Sequence, residues 1–363
     1  MICYKFTSNL RGSENFMAIA VIGAGIAGLT AAYTLGGEVV VFEKSRGFGG
    51  RAATRWYDRP GGRVYVDHGT QYLRSESDPL RRLMLQDLSS ADLSDIARPV
   101  WTFDSSHVIH EGDSEQNAVP KWSYRHGVAT LGKLLADSGR FEVRLRVRIG
   151  KIQTHADGRY RLYDTEGSAL GDYEQVVIAI PSGQAADLLA ASDLPPTEKV
   201  ALQTALQAAS YRRCLSIALG YERDLAPRPF YALVNSDKRD PMAWFAYEHD
   251  KIGHAVRGQA VVVAQMSGDY SLAQWENDND AIVNDVAAHA SKLLGERLTD
   301  FDWADIQRWR YSQPNTLAEA AQLNGVLRGL WFAGDYLRGG RVHLAAETGE
   351  AVAFSIQQAR SAS

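Results

Sequence analysis

Between the apolar run Ala18 to Ile22 and the apolar run Val39-Val-Val-Phe42 lies Gly23-Ala-Gly25-Ile-Ala-Gly28, and the second run ends on Glu43. Few glycine patterns constrain a chain as tightly. The first glycine permits a tight strand-to-helix turn. The second lets main chain approach a pyrophosphate, and the third lets the helix pack closely on the strand. Free N–H groups at the helix start would then face phosphate charge, while the second strand delivers the Glu43 carboxylate to a ribose hydroxyl pair. The helix is short, ending near Leu35 with Gly36-Gly37 as its cap. Strand, turn, helix, strand and terminal carboxylate in this order predict a dinucleotide site at the front of the chain.

The 363 residues exceed one ordinary domain, so a two-lobed protein is expected. A net charge of −4 without long like-charge blocks gives no bulk attraction to nucleic acid or anionic lipid. No apolar run approaches the roughly 20 residues of a membrane span. Only Cys3 and Cys214 are present, which excludes a disulfide framework, a cysteine zinc site and a Cys-x-x-Cys pair, and points to a reducing, cytoplasmic setting. Residues 1–16 lack the apolar centre of a secretory signal and read as a flexible leader.

A second glycine-rich stretch, Lys44-Ser-Arg-Gly-Phe-Gly49-Gly50-Arg51, follows Glu43. A plain nicotinamide dehydrogenase has no need of it. Gly49 and Gly50 would let main chain press against a long cofactor, with Arg51 neutralising its phosphates. Downstream, Val64 to Asp67 alternates as a strand and leads into His68-Gly69-Thr-Gln71-Tyr72. Residues 78–98 carry Leu80, Leu83, Met84 and Leu88 at helical spacing. Residues 101–122 read as short strands and loops, and 127–136 as a helix. The stretches 141–152 and 160–163 are strand-like, with Asp157-Gly158 as a hairpin turn. Gln175 to Ile180 reads as a buried parallel strand stopped by Pro181.

From Ala185 the pattern changes to one helix through Ala209. Strands at 214–221, 244–247, 260–266 and 303–309 then predict an antiparallel sheet, with an amphipathic helix over 278–294. Near the end, Gly329-Leu-Trp-Phe-Ala-Gly334-Asp335 is a strand closing on a carboxylate, and 345–357 is a helix. Such a strand can bring an acid to a ribityl or pyrophosphate group, while the next helix aims its N–H groups at an electron-poor ring.

Together the two ends of the chain resemble the large family of FAD-dependent amine oxidases, and more narrowly its renalase-like branch. The residues that carry this are Lys44 to Arg51, His68 to Tyr72, Tyr211-Arg-Arg-Cys-Leu-Ser-Ile-Ala-Leu-Gly220, Gln307-Arg-Trp-Arg-Tyr-Ser312 and Trp331 to Asp335. The resemblance implies an α/β protein with an FAD-binding Rossmann-like lobe (residues 17–75, 125–184 and 320–363) and an α+β substrate lobe (76–124 and 185–319). It implies non-covalent FAD, with Gly23, Gly25, Ile26 and Gly28 at the pyrophosphate and Glu43 at the adenosine ribose. Lys44, Gly49, Gly50 and Arg51 would lie along the phosphates, and Val147 would meet the adenine by main chain. Gly334 and Asp335 would meet the ribityl chain, and Val342, His343 and Ala345 the flavin edge. Gln71 and Tyr72 would lie near the ring, and Trp244, Gln265 and Trp309 are candidates for the substrate pocket.

In that branch the activity is oxidation of isomeric dihydro forms of NAD(P)H, with dioxygen as electron acceptor and hydrogen peroxide as product. A dihydropyridine already donates hydride, so the protein supplies orientation and a dry face, and no catalytic triad is expected. The chain departs from the pattern in carrying Ala264 and Gln265 where several relatives have a histidine on that strand. It also has His343 where glutamate is common, and this residue reads either as a surface histidine or as a group beside the flavin. Arg310 and Arg338 are candidates for a substrate phosphate. Two other functions compete: a flavin amine oxidase acting on small amines, which would want an aromatic cage and a lysine near the flavin, and a non-catalytic binding protein that keeps the FAD fold. Lys199, Lys238 and Lys251 all lie in predicted helix or loop.

Overall fold

The computed structural model describes residues 18–361, so the predicted leader lies outside it. The apolar runs bracketed by glycine turns form the middle of a five-stranded parallel sheet in the order Leu330–Phe332, Gln175–Ile178, β1 (Ile19–Ile22), β2 (Val39–Glu43) and Glu142–Leu145. Side chains alternate across it. Ile19, Val21, Val39, Val41 and Val177 pack on one face with α1 (Ile26–Leu35) and the helices Ala129–Ala136 and Val342–Ser361. Ala20, Ile22, Phe42, Val176 and Ile178 pack on the other, with the meander Ile149–Thr154, Tyr160–Asp164 and Ala169–Tyr173 and the helices Ser182–Ala190 and Pro196–Gln207. Burial on both faces explains why these strands read as continuous apolar runs.

A seven-stranded sheet forms the second lobe, in the order Trp303–Thr316, Ser210–Tyr221, Ala260–Met266, Met242–Tyr247, Ala232–Asn235, Val100–Phe103 and Ile109–His110. The helix Asn279–Leu294 covers one face, burying Ile282, Val286 and Ala290 against Leu215, Ile217 and Val262. Asp278 caps its first turn and Gly295, at φ 61°, ends it. On the opposite face the hairpin of β3 (Thr54–Arg59) and β4 (Gly62–Asp67) lays Val64 and Val66 against Ala218, Val261 and Val263. The N-terminal segment therefore reaches across into the second lobe. Among the described residues no helix is long and apolar enough to cross a membrane.

The structure differs from the sequence reading in several places; one is the helix Ser114–Ala118 within the stretch 101–122 read as strands and loops. The helix expected over 78–98 stops at Asp87 after a short π-helical turn, and Leu93–Asp95 is a strand, because Leu88 turns extended before the polar stretch 89–92. The strand expected over 141–152 is broken at Arg146, a non-glycine residue at φ 60°. Its first half enters the parallel sheet and its second half the meander. Pro195-Pro196 splits the helix expected over 185–209. The second sheet is mixed rather than purely antiparallel, since Ala232–Asn235 pairs in parallel with Val100–Phe103.

Candidate active site

The three glycines of the first turn differ in what surrounds them. Gly23 has φ 108°, and a Cβ there would sit 2.7 Å from the Ala179 carbonyl oxygen. At Gly28 a Cβ would lie 2.1 Å from the Gly23 carbonyl oxygen, so this glycine exists for close helix packing. A Cβ at Gly25 would meet no protein atom within 4 Å. The middle glycine thus faces open space at the start of α1, where no side chain caps the helix and no acid stands in the first turn. The N–H groups of Ile26, Ala27 and Gly28 precede the first intrahelical donor, Leu29, and can receive an anion.

The second glycine stretch closes on the first. The Gly49 N–H donates to the Ala24 carbonyl at 2.8 Å, and a Cβ at Gly50 would lie 3.2 Å from Gly25 Cα. Glu43 accepts the Ala24 N–H at 2.8 Å through Oε2 and the Ser45 N–H at 2.7 Å through Oε1. Its carboxylate is held at the strand end with lone pairs left for a diol. Val147 sits beside it, its N–H donating to the Glu43 carbonyl. Lys44 is exposed and bonds to Gln184.

Arg51 and Asp335 come together from opposite ends of the chain. Their guanidinium and carboxylate form a two-pronged pair at 2.6 and 2.7 Å, and Arg51 also donates to the Ser312 carbonyl. The Tyr211 hydroxyl donates to Asp335 at 2.8 Å, with the Arg51 guanidinium 5.4 Å from its ring. Burial first, then the Asp335 charge, push the Tyr211 hydroxyl pKa well above its usual value. No local pattern in the block Tyr211 to Gly220 singles out Tyr211 for this contact. Gly334, at φ 157°, donates its N–H to the Thr348 hydroxyl and so ties this strand end to the last helix. That helix begins at Val342, places His343 and Ala345 in its first turn, and crosses α1 so closely that a Cβ at Gly349 would lie 2.1 Å from the Ala27 carbonyl oxygen. His343 is mostly buried, with Nε2 3.5 Å from Glu76, and burial lowers its pKa.

The wall candidates form a connected set. Gln265 donates to the Gly69 carbonyl at 2.6 Å and the Trp309 indole N–H to the His68 carbonyl at 3.0 Å. Thr70 donates its N–H to the Arg51 carbonyl. His68 stacks on Trp309, ring centroids 5.3 Å apart, and burial pulls its pKa down to about 4, so it is neutral near pH 7. Gln71 is buried, its amide N–H bonded to the Asp67 carbonyl while its Oε1 has no protein partner. Tyr72, Tyr231 and Trp244 form an aromatic group with centroids 6.1–6.5 Å apart, and the buried Trp244 indole nitrogen also lacks a partner. Arg310 is exposed, and Arg338 pairs with Glu347 at 3.1 Å.

Behind this wall lies a group that loop placement alone could not reveal. Lys251, fully buried, binds Asp67 at 2.8 Å and Glu248 at 2.9 Å, and Glu248 binds His254 at 2.8 Å. Asp67 also accepts from Thr54 and from the Val128 N–H. The two carboxylates outweigh burial and raise the Lys251 pKa.

An open glycine turn, an uncapped helix start, a strand-end carboxylate and a distant Gly-Asp turn on a neighbouring strand together fit one extended dinucleotide. A family model described as flavin containing amine oxidoreductase matches residues 93–356, and one described as NAD(P)-binding Rossmann-like domain matches residues 21–88. The chain belongs to the flavin-containing amine oxidoreductase family. It is an FAD-dependent oxidoreductase with the two-lobed fold of that family. Similar solved structures include a protoporphyrinogen oxidase described as putative from Exiguobacterium sp. 255-15 (14% identity, 96% of this chain and 100% of that one, TM-score 0.72). Putrescine oxidase bound to putrescine (14%, 94% and 99%, TM-score 0.72) and cyclohexylamine oxidase from Brevibacterium oxydans IH-35A (14%, 94% and 99%, TM-score 0.69) are also similar. At these identities the likeness is one of fold.

Proposed function

We propose that this flavoenzyme is a renalase-like oxidase of isomeric dihydronicotinamide dinucleotides. The observation that carries the reading is the character of the wall: Gln71, Gln265, Tyr72, Trp244 and Trp309 offer amides and aromatic faces, His68 is neutral, and Lys251 is locked between two carboxylates. Such a wall holds and orients a flat, uncharged ring, and its neutral imidazole is a weak base with a pKa of about 4; hydride donation by a dihydropyridine requires no base. Bound FAD supplies the redox chemistry, as acceptor of the hydride and source of the two electrons that reduce dioxygen to hydrogen peroxide.

The chain's own residues divide the remaining work. The α1 start and Arg51 would hold the pyrophosphate, Glu43 the ribose and Asp335 the ribityl chain. The unpartnered Gln71 Oε1 and the Trp244 indole N–H would orient a carboxamide, the one accepting and the other donating. Residues 17–75, 125–184 and 320–363 would serve the cofactor and the intervening segments the substrate. A second reading, oxidation of a small amine, draws on the aromatic group of Tyr72, Tyr231 and Trp244, which resembles the cage an amine requires.

Anaerobic titration of the yellow protein separates these. Loss of flavin absorbance with isomeric dihydronicotinamide dinucleotides but not with putrescine or cyclohexylamine is the expected result, followed on admitting air by one hydrogen peroxide per flavin. Bleaching by amines alone would replace the first reading with the second, and bleaching by neither would support a binding protein.

A further inference from the structure

Outside the flavin site, three segments remote in sequence bring two imidazoles and a carboxylate to one point. His107 stands in the turn before Ile109–His110, Asp240 just before Met242–Tyr247, and His289 on the helix Asn279–Leu294. His289 Nε2 lies 2.7 Å from Asp240 Oδ1 and His107 Nε2 3.2 Å from Oδ2. The donor atoms of all three lie within 4.8 Å of one another. The Asp240 side chain is 2% exposed and the two histidine side chains 16% and 20%, so the carboxylate forms the floor and the imidazoles an edge that solvent reaches. His107 holds φ 60°, a left-handed conformation that non-glycine residues adopt at a cost and that clusters at functional positions.

We propose that His107, Asp240 and His289 form a binding site for a divalent first-row cation of the zinc type, completed by water. Two imidazoles and one carboxylate suit zinc, cobalt and nickel better than magnesium or calcium, which prefer all-oxygen shells. Zinc bonds of about 2.0–2.2 Å to nitrogen and oxygen place neighbouring donors of a tetrahedral shell about 3.3–3.6 Å apart; the His107 contact at 3.2 Å is close to that spacing, and the His289 contact at 2.7 Å would open by less than an ångström as the ion replaces the hydrogen bond. The contrast with Asp67, Glu248 and His254 is instructive. Those three groups also converge, but the Lys251 ammonium already supplies their positive charge. Around Asp240 no lysine or arginine ion pair is present among the described residues, and its partners are the two histidines and the Met242 N–H. The cation's work would be structural: it joins the turn at His107 to the helix and to the strand that begins at Met242, whose N–H already binds Asp240.

Flavin-loaded protein, stripped with chelator and dialysed, would be titrated with zinc chloride by calorimetry and by thermal unfolding. Wild type is expected to take up one equivalent of zinc and gain a few degrees in Tm, with no response to magnesium. His289→Asn and His107→Asn are expected to lose both effects, and asparagine tolerates the left-handed backbone at residue 107. His110→Ala, which removes a neighbouring exposed histidine, is expected to keep them. Flavin content and circular dichroism report that each variant is folded, so loss of binding is not loss of structure. No stoichiometric uptake by wild type, or equal uptake by the two Asn variants, would overturn the site and leave a histidine–aspartate hydrogen-bonded clasp.

Discussion

A valine side chain has opposite consequences at Gly25 and Gly28, three residues apart. Gly25 has φ −72° and open space beyond its Cα, so Gly25→Val is expected to fold, losing about 1 kcal/mol for an unfavourable residue at the helix N-cap, yet to purify without yellow colour. At Gly28 the added atoms meet the Gly23 carbonyl oxygen, and Gly28→Val is expected to destabilise by several kcal/mol through overpacking of a buried turn. Circular dichroism and flavin absorbance of the two purified variants check this, and an apo Gly25→Val that unfolds would remove the assignment of that space to a cofactor. A second prediction concerns His68. Its folded pKa of about 4 lies below the ordinary 6.5, so between those values the unfolded chain binds more protons than the folded one. The stability His68 contributes is therefore complete above pH 6.5 and is lost as pH falls towards 4, by about 3 kcal/mol at most. His68→Asn should flatten that part of the Tm-against-pH curve; an unchanged slope would show that other groups set it.

At the level of elements, the end of β4 fastens the two lobes. Asp67 belongs to the N-terminal hairpin and Glu248, Lys251 and His254 to the loop after Met242–Tyr247, and all four side chains are buried. Lys251→Met would leave two buried carboxylates without their cation, a loss of about 3–5 kcal/mol. It should lower the urea midpoint far more than Lys199→Met, whose half-buried ammonium donates to the main-chain carbonyls of Ala190 and Ser192. Equal midpoints would show that the network contributes nothing net. These elements also mark where sequence reading succeeds and where it stops. β1, α1, β2 and the strand Gln175–Ile178 were legible because buried parallel strands are continuous apolar runs punctuated by glycine, and the helix Asn279–Leu294 because its apolar residues repeat with the helical period. The pairing of Arg51 with Asp335 was not legible: each was assigned to the cofactor separately, and nothing local says that residues 284 apart meet. Lys251 reads as lying in helix or loop, and local pattern carries no signal that such a segment is interior, since its partner Asp67 is 184 residues away.

For the molecule as a whole, FAD held as proposed would lie across the C-terminal ends of the parallel strands and touch both the first turn and the last. Ile22 pairs with Ile178, and Ile178 with Phe332, so the turns at Gly23 and Gly334 are two strand spacings apart, about 10 Å, well within the reach of one extended dinucleotide. A ligand that contacts the folded state at both chain ends and has no counterpart site in the unfolded chain stabilises by mass action, by about 2.7 kcal/mol at a hundredfold excess over its Kd. For a protein of this size that corresponds to roughly 3–4 °C in Tm. Removal of FAD should lower Tm by that amount and re-addition should restore it, while Gly25→Val should stay at the apoprotein value whatever FAD is added. Cys214 offers a second readout of the same equilibrium: it is buried, and burial pushes its thiol pKa up to about 12, so in the native protein it should resist thiol reagents. The rate at which its peptide becomes labelled in mild denaturant should fall when FAD is present and should not respond to FAD in Gly25→Val. Identical labelling rates with and without FAD in wild type would mean that the cofactor does not bridge the two ends of the chain.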